Sequence, residues 1–277
     1  MKLSVILVNQ NSRNELRLAL TSLGKATHDI SSEIIVVDNA STDASVQMLN
    51  TEFPEVELIL NDKEEGLSAA NNQALLQAKG EYVLLLNPKT IVGAEFFEKL
   101  NRFMDQHPLA GGVSVRMVDF RGDYLQQSKH TLSGIWAGFI KLIGLSSYFP
   151  KTFAFSQRKG DWVDEFETKE IDVLNETCML LRRSVLRTTG LFDERFTKFG
   201  YNVDLSYRIR QQGFKNYYYS KTYIIQLPGK KVNKFSWDYI KHFYGAMFIF
   251  AAKYWFKLPV LNVKNIGELY PSSYEIE

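Results

Sequence analysis

The stretch LLLNPKT at residues 84–90 ends an apolar run and sets Asn87, Pro88 and Lys89 at its exit. Asn9 and Asp38 close two earlier runs, SVILVN and EIIVVDN. Open α/β sheets hold ligands at the carboxyl ends of their strands, so these side chains stand where chemistry is expected. A carboxylate at a strand tip accepts from N–H and hydroxyl donors, and a cation there implies a negative charge to meet. For Asp38 the alternative is a cap on the following helix, with Ser41 and Thr42 as competitors. The four His are scattered without H-x-x-x-H spacing and the single Cys178 makes no C-x-x-C, so no zinc signature exists. Cys178 lies in an apolar run and reads as core, and the absence of a disulfide framework points to cytoplasmic residence. Neither G-x-G-x-x-G nor G-x-x-x-x-G-K-[ST] occurs, so a ligand must be held by side chains.

The elements that position these residues follow from periodicity. LSVILV at 3–8 is a strand, and SRNELRLALTSLGKA at 12–26 places Leu16, Leu20 and Leu23 on one helical face after a Ser12 cap. A strand ending on Asp38, a helix through Val46 and Leu49, VELIL at 56–60, a helix over 64–79 and YVLLLN at 82–87 repeat the pattern. Continuous apolar strands alternating with helices predict an α/β fold with a mostly parallel central sheet. Residues 110–170 read as mixed strand and loop, with an apolar stretch at 132–149. A strand and short helix over 171–190, a helix over 203–213 closed by Gly213 and an alternating strand over 215–226 follow.

At 277 residues with 45% hydrophobic and 23% charged side chains, the chain should fold throughout. MKLSVILV is too short for a signal peptide and no apolar run reaches membrane-spanning length. The net charge of +2 conceals an asymmetry, because residues 208–264 carry eleven Lys and Arg against the single acid Asp238. The helix at 235–258 interleaves Trp, Tyr and Phe with lysine, a composition drawn to anionic membrane surfaces. Packing on its own domain or a dimer contact are the alternatives. Aromatics interleaved with lysine also suit nucleic acid and protein partners, and nothing else points to nucleic acid.

Six segments, SVILVNQNS, IIVVDNASTD, GLSAANNQAL, YVLLLNPKT, CMLLRRSVL with GLFDERF, and VDLSYRIRQQG, resemble family-2 glycosyltransferases, notably the rhamnosyltransferase-like members. The resemblance spans residues 3–226 in register. It implies a GT-A fold over 1–230, with 231–277 a basic, aromatic, helical extension, and a UDP- or dTDP-sugar donor. A glycan or lipid-linked acceptor and an inverting reaction are also implied. By the same resemblance Val8 and Asn9 border the base, Asp38 accepts from base or ribose, Asn72 lies near the diphosphate wall, and Asn87 adjoins the donor.

The chemical half departs from the family pattern. Lys89 replaces the Asp of an N-P-D motif that holds a divalent cation, and an ammonium repels magnesium or manganese, so metal dependence should be weak or absent. Tyr201 and Asn202 replace a Glu-Asp pair that supplies the base, and an amide has no useful basicity. Gln226 replaces a His, and Glu176-Thr177 replaces Gly-Ala before CMLLRR. Lys89 would then take over the metal's counter-charge role and Glu176 the base's, or the chain is a non-catalytic scaffold or regulator. The usual metal-dependent activity is expected to be impaired. Asp204, in the first turn of its helix, reads as structural, and Asp193 and Glu194 as fixing a loop by pairing with Arg195 or Arg208.

Overall fold

A computed structural model describes residues 1–125, 134–150, 165–229, 233 and 235–254. The predicted alternation forms β1 (Leu3–Asn9), α1 (Arg13–Ala26), β2 (Ser32–Asn39), α2 (Ser45–Glu52), β3 (Glu57–Asn61), α3 (Leu67–Gln77) and β4 (Tyr82–Leu86). There follow β5 (Thr90–Val92), α4 (Phe96–Gln106), β6 (Ala110–Asp119), α5 (Gly134–Leu142), β7 (Lys169–Ile171) and β8 (Cys178–Arg182). The chain continues through α6 (Arg183–Thr189), α7 (Tyr201–Gln211), β9 (Lys215–Gln226) and α8 (Trp237–Tyr254).

One nine-stranded sheet runs β3-β2-β1-β4-β8-β6-β9-β5, with β7 also on β9. Its first four strands are parallel, as continuous apolar runs demand, and β8 then enters antiparallel to β4. The second half is mixed: β8 and β6 pair antiparallel, β6 and β9 parallel, and β5 and β7 antiparallel to β9, each pair distant in sequence. The ten-residue β6 is a strand where mixed strand and loop was expected, whereas α5 is a helix within the apolar stretch at 132–149 that this expectation did not include. Segments 126–133 and 151–164 of that region, and the tail beyond 254, lie outside the described residues.

Alternation along β1 divides the core: Leu3, Val5 and Leu7 face a layer with α1 and α4, while Ile6 faces a layer with α3, α7 and α8. The C-terminal helix belongs to the second layer. Phe243, Met247 and Phe250 are buried there, with Trp136 of α5 edge-on to both Phe243 and Phe250. The alternative of a helix packed on its own domain is therefore realised on this face of α8.

Charged contacts also join that helix to α7. Asp204 of α7 is fully buried and accepts from Lys253 Nζ at 2.6 Å, the Tyr254 hydroxyl at 2.7 Å and Arg208 Nε at 2.8 Å. Lys253 also donates to Asp193 at 3.0 Å, which Arg195 grips through two nitrogens at 2.8 and 2.6 Å. Arg208 donates further to the carbonyls of Thr189, Gly190 and Leu191. Asp204 is thus structural, as expected, and Asp193 pairs with Arg195. Burial alone would raise the Asp193 carboxyl, but Arg195 and Lys253 hold it well below the usual range.

Two measurements check this account. Phe250→Ala, a truncation in the core, should cost about 3–5 kcal/mol by urea unfolding, whereas a cost under about 1 kcal/mol would detach α8 from the core. Because the folded pKa of Asp193 is depressed, its stabilisation is complete above about pH 5 and is lost as pH falls through ~3.9 toward the lower folded value. Asp193→Asn should be less stable than the parent at neutral pH, and the gap should narrow on acidification through that window.

Candidate functional site

The carboxyl ends of β1 and β2 lie side by side, with Asn9 opposite Asp38 in register. Asn9 Nδ2 donates to Asp38 Oδ1 at 2.9 Å and to Ser41 Oγ at 3.1 Å, and the Ser41 amide donates to Asp38 Oδ2 at 2.9 Å. Asp38 therefore closes a turn and does not cap α2. That task falls to Asp43, which accepts from the Arg13 amide at 2.9 Å and the Ser45 amide at 3.2 Å and so caps α1 and α2 together. Ser12 stands at the start of α1, but its hydroxyl donates back to the Gln10 carbonyl. Asp38 is buried with both oxygens engaged, yet a carboxylate has about four lone-pair positions and retains acceptor capacity. Val8 beside it is half-buried.

Asn72 on α3 holds the 191–196 loop. Its Nδ2 donates to the Phe192 carbonyl at 2.9 Å and to Glu194 at 3.0 Å, and its Oδ1 accepts from the Phe192 amide at 3.0 Å. Both amide hydrogens are spent, so Asn72 serves as a tie in the wall instead of a free ligand group. The Leu67 amide donates to the Thr197 carbonyl at 2.6 Å and Ser68 Oγ to the Phe196 carbonyl, so this loop closes over the start of α3. A Cβ at Gly66 would stand 3.0 Å from the Thr197 backbone, which explains the glycine there.

The four departures from the family pattern converge at the exit of β4. The Asn87 amide donates to the Thr177 carbonyl at 2.9 Å, which lays the Glu176-Thr177 segment alongside the strand end. Asn87 Oδ1 accepts from the Lys89 amide at 2.9 Å and shapes the turn through Pro88. Thr90 pairs with Gln226, and the Leu227 amide donates to the Lys89 carbonyl at 2.8 Å. The half-buried Lys89 stem passes Gly229, and among the described residues no carboxylate pairs with its ammonium.

Asn202 donates to the Leu174 carbonyl at 2.9 Å, and Ser206 Oγ, one helical turn on, accepts from the Leu174 amide at 2.9 Å. The Asn175 amide donates to Ser114 Oγ, and Asn175 Oδ1 accepts from the Thr177 amide. The loop that bears Glu176 is thus pinned at each neighbouring position. Glu176 itself keeps solvent exposure, yet protein atoms crowd its carboxyl closely enough for desolvation to push the pKa up to about 7. Water reaches the side chain, so its proton can exchange. Tyr201 is buried edge-on to Phe192, and its hydroxyl is raised by burial and then by the Glu176 charge. Gly200, left-handed at φ +82°, turns the chain into α7 at this point.

The donor set at β4 does not fit a hard divalent ion, since Asn87 and Lys89 offer an amide oxygen already in use and a cation. Among the described residues no group of three His, Cys, Asp or Glu side chains converges. Sequence reasoning missed the double cap by Asp43 and the Lys253 clamp. The signal for the latter was present, because Lys253 lies a turn or less from Phe250 and Tyr254.

A model of the family described as "Glycosyl transferase family 2" matches residues 4–190. The N-acetylglucosaminyl-diphospho-decaprenol L-rhamnosyltransferase of Mycobacterium tuberculosis is 24% identical, over 93% of this chain and 87% of that protein. An uncharacterized glycosyltransferase of Bacillus subtilis, YfnE, is 34% identical over 77% of this chain and 61% of its own. Among solved structures, Staphylococcus aureus TarS 1-349 in complex with UDP-GlcNAc superposes with a TM-score of 0.63 at 19% identity, covering 91% of this chain and 66% of that one. Such a likeness in shape assigns the GT-A fold. Because that family model matches more than half of the chain, the chain belongs to glycosyl transferase family 2.

Proposed function

We propose that this chain binds a nucleotide-diphospho-sugar, UDP- or dTDP-linked, and transfers the sugar without a divalent metal. Asn9 and Asp38 receive the nucleoside, Lys89 faces the diphosphate, and Glu176 acts as base. The observation that carries the reading is the Asn202 bond to the Leu174 carbonyl. The position that the family pattern gives to a base is here engaged in holding up the loop that presents a different carboxylate. In the step itself, Glu176 takes the proton of the acceptor hydroxyl, the acceptor oxygen bonds to the anomeric carbon, and the bond to the diphosphate breaks. The leaving charge meets the Lys89 ammonium. A lipid-linked glycan acceptor is supported by the printed activity of the mycobacterial relative. The setting would be envelope polysaccharide assembly at the cytoplasmic membrane face, reached through the helix within 235–258. Among the described residues no helix is long and apolar enough to cross a membrane.

A second reading, a non-catalytic scaffold or regulator of an active partner, is favoured by Tyr201. That side chain is buried against Phe192 where the pattern has an acid, so the position is given over to packing.

Calorimetry with UDP-GlcNAc and dTDP-rhamnose, with and without manganese, separates these readings. Binding indifferent to manganese is expected and should weaken in Lys89→Ala; manganese-enhanced binding would refute the role of Lys89, and silence with both donors favours the scaffold. A base must be deprotonated, so kcat/KM should rise with pH through about 7. Glu176→Gln should lower turnover by roughly 10²–10⁴, and unchanged turnover removes Glu176 as the base.

A further inference from the structure

We propose that the outward stripe of α8, formed by Trp237, Lys241, Tyr244 and Phe248, is a docking surface for an anionic lipid bilayer. At about 100° per residue these positions fall on one narrow line along the helix, well away from the face bearing Phe243, Met247 and Phe250. The inner face satisfies the core, so the outer aromatics are not needed for folding. Their exposure is high: 79% for Trp237, 51% for Tyr244 and 71% for Phe248.

Charge chooses the occupant. Lys241 sits within the aromatic line, and the core of a protein interface is depleted of lysine. A headgroup layer accepts the same arrangement, since the stem lies along apolar surface while the ammonium reaches phosphate. Beside the stripe, Asp238 pairs with Lys198 at 3.2 Å, a lysine it shares with Glu64 at 3.6 Å, and lies against His242. Of the other basic side chains on α7 and α8, Arg208 and Lys253 are spent on Asp204 inside the fold, so Lys241 is the cation that the stripe itself presents. The stripe is also joined to the site. Lys253 and Tyr254 at the far end of α8 bond Asp204 of α7, whose first turn carries Tyr201 and Asn202. A bilayer that held α8 would hold the β4 exit at a set distance from its surface, as an acceptor anchored in lipid requires. This inference rests on the lipid-linked acceptor reading above.

Cosedimentation of the full chain with phosphatidylcholine vesicles, with and without phosphatidylglycerol, tests it. Binding is expected to the anionic vesicles and to weaken with salt. The triple substitution Trp237→Ser, Tyr244→Ser, Phe248→Ser and the single Lys241→Glu should each reduce it on the order of tenfold. Lys241→Glu alters one exposed side chain and should leave the thermal midpoint and donor calorimetry unchanged. No binding to anionic vesicles by the parent chain overturns the proposal, as does undiminished binding by both variants. A concentration-dependent dimer, abolished by the triple substitution in a chain that ignores vesicles, assigns the stripe to a second copy and also overturns it. Vesicle binding together with silent donor calorimetry leaves this surface standing and refutes the functional reading alone.

Discussion

The C-terminal layer depends on a carboxylate that has no water. Asp204 is enclosed in the second core layer, where an unpaired charge would be costly to bury. Three donors from two helices offset that cost, and they bring further elements with them. Arg208 gathers the end of α6 and the start of the 191–196 loop, while Lys253 and Tyr254 bring α8. A buried ion pair of this kind is weak evidence of net stability, because apolar residues of equal volume could pack as well. What it fixes is register, since α8 can meet α7 at only one level.

From that level the site is assembled by ties that contain no chemistry of their own. Asn202 and Ser206 of α7 carry the 172–177 turn, which lies along β4 through the Thr177 carbonyl. Asn72 joins the 191–196 loop to α3 on the other side. The positions that depart from the family pattern are therefore neighbours in space although far apart in sequence, and they differ together.

The first half of the fold was legible because each element there is local. Alternating apolar runs and helical stripes fix β1 through β4 without knowledge of tertiary partners, and Gly213, left-handed at φ +83°, ends α7 where its position indicated. The mixed half was less so, because β6 takes its partners from β8 and β9, which follow it by more than fifty residues. The site divides in the same way. Asp38, Asn9 and Lys89 stand at strand exits, which periodicity locates. That Asn72 spends its amide on a loop, and that Asp43 caps two helices at once, depends on contacts across the sheet that spacing does not encode. In α8, composition announced a helix of aromatics and lysine but could not distinguish Tyr244, turned outward, from Phe243, turned in.

The Asn202 contact also bears on whether the usual catalyst could be rebuilt by reversing one codon. An amide nitrogen faces the Leu174 carbonyl, and an aspartate in its place would oppose one oxygen with another. The turn above would have to reseat before the new acid could face a sugar. Descent from an ordinary transferase, once this amide had been adopted as a prop, would therefore be hard to retrace by single steps.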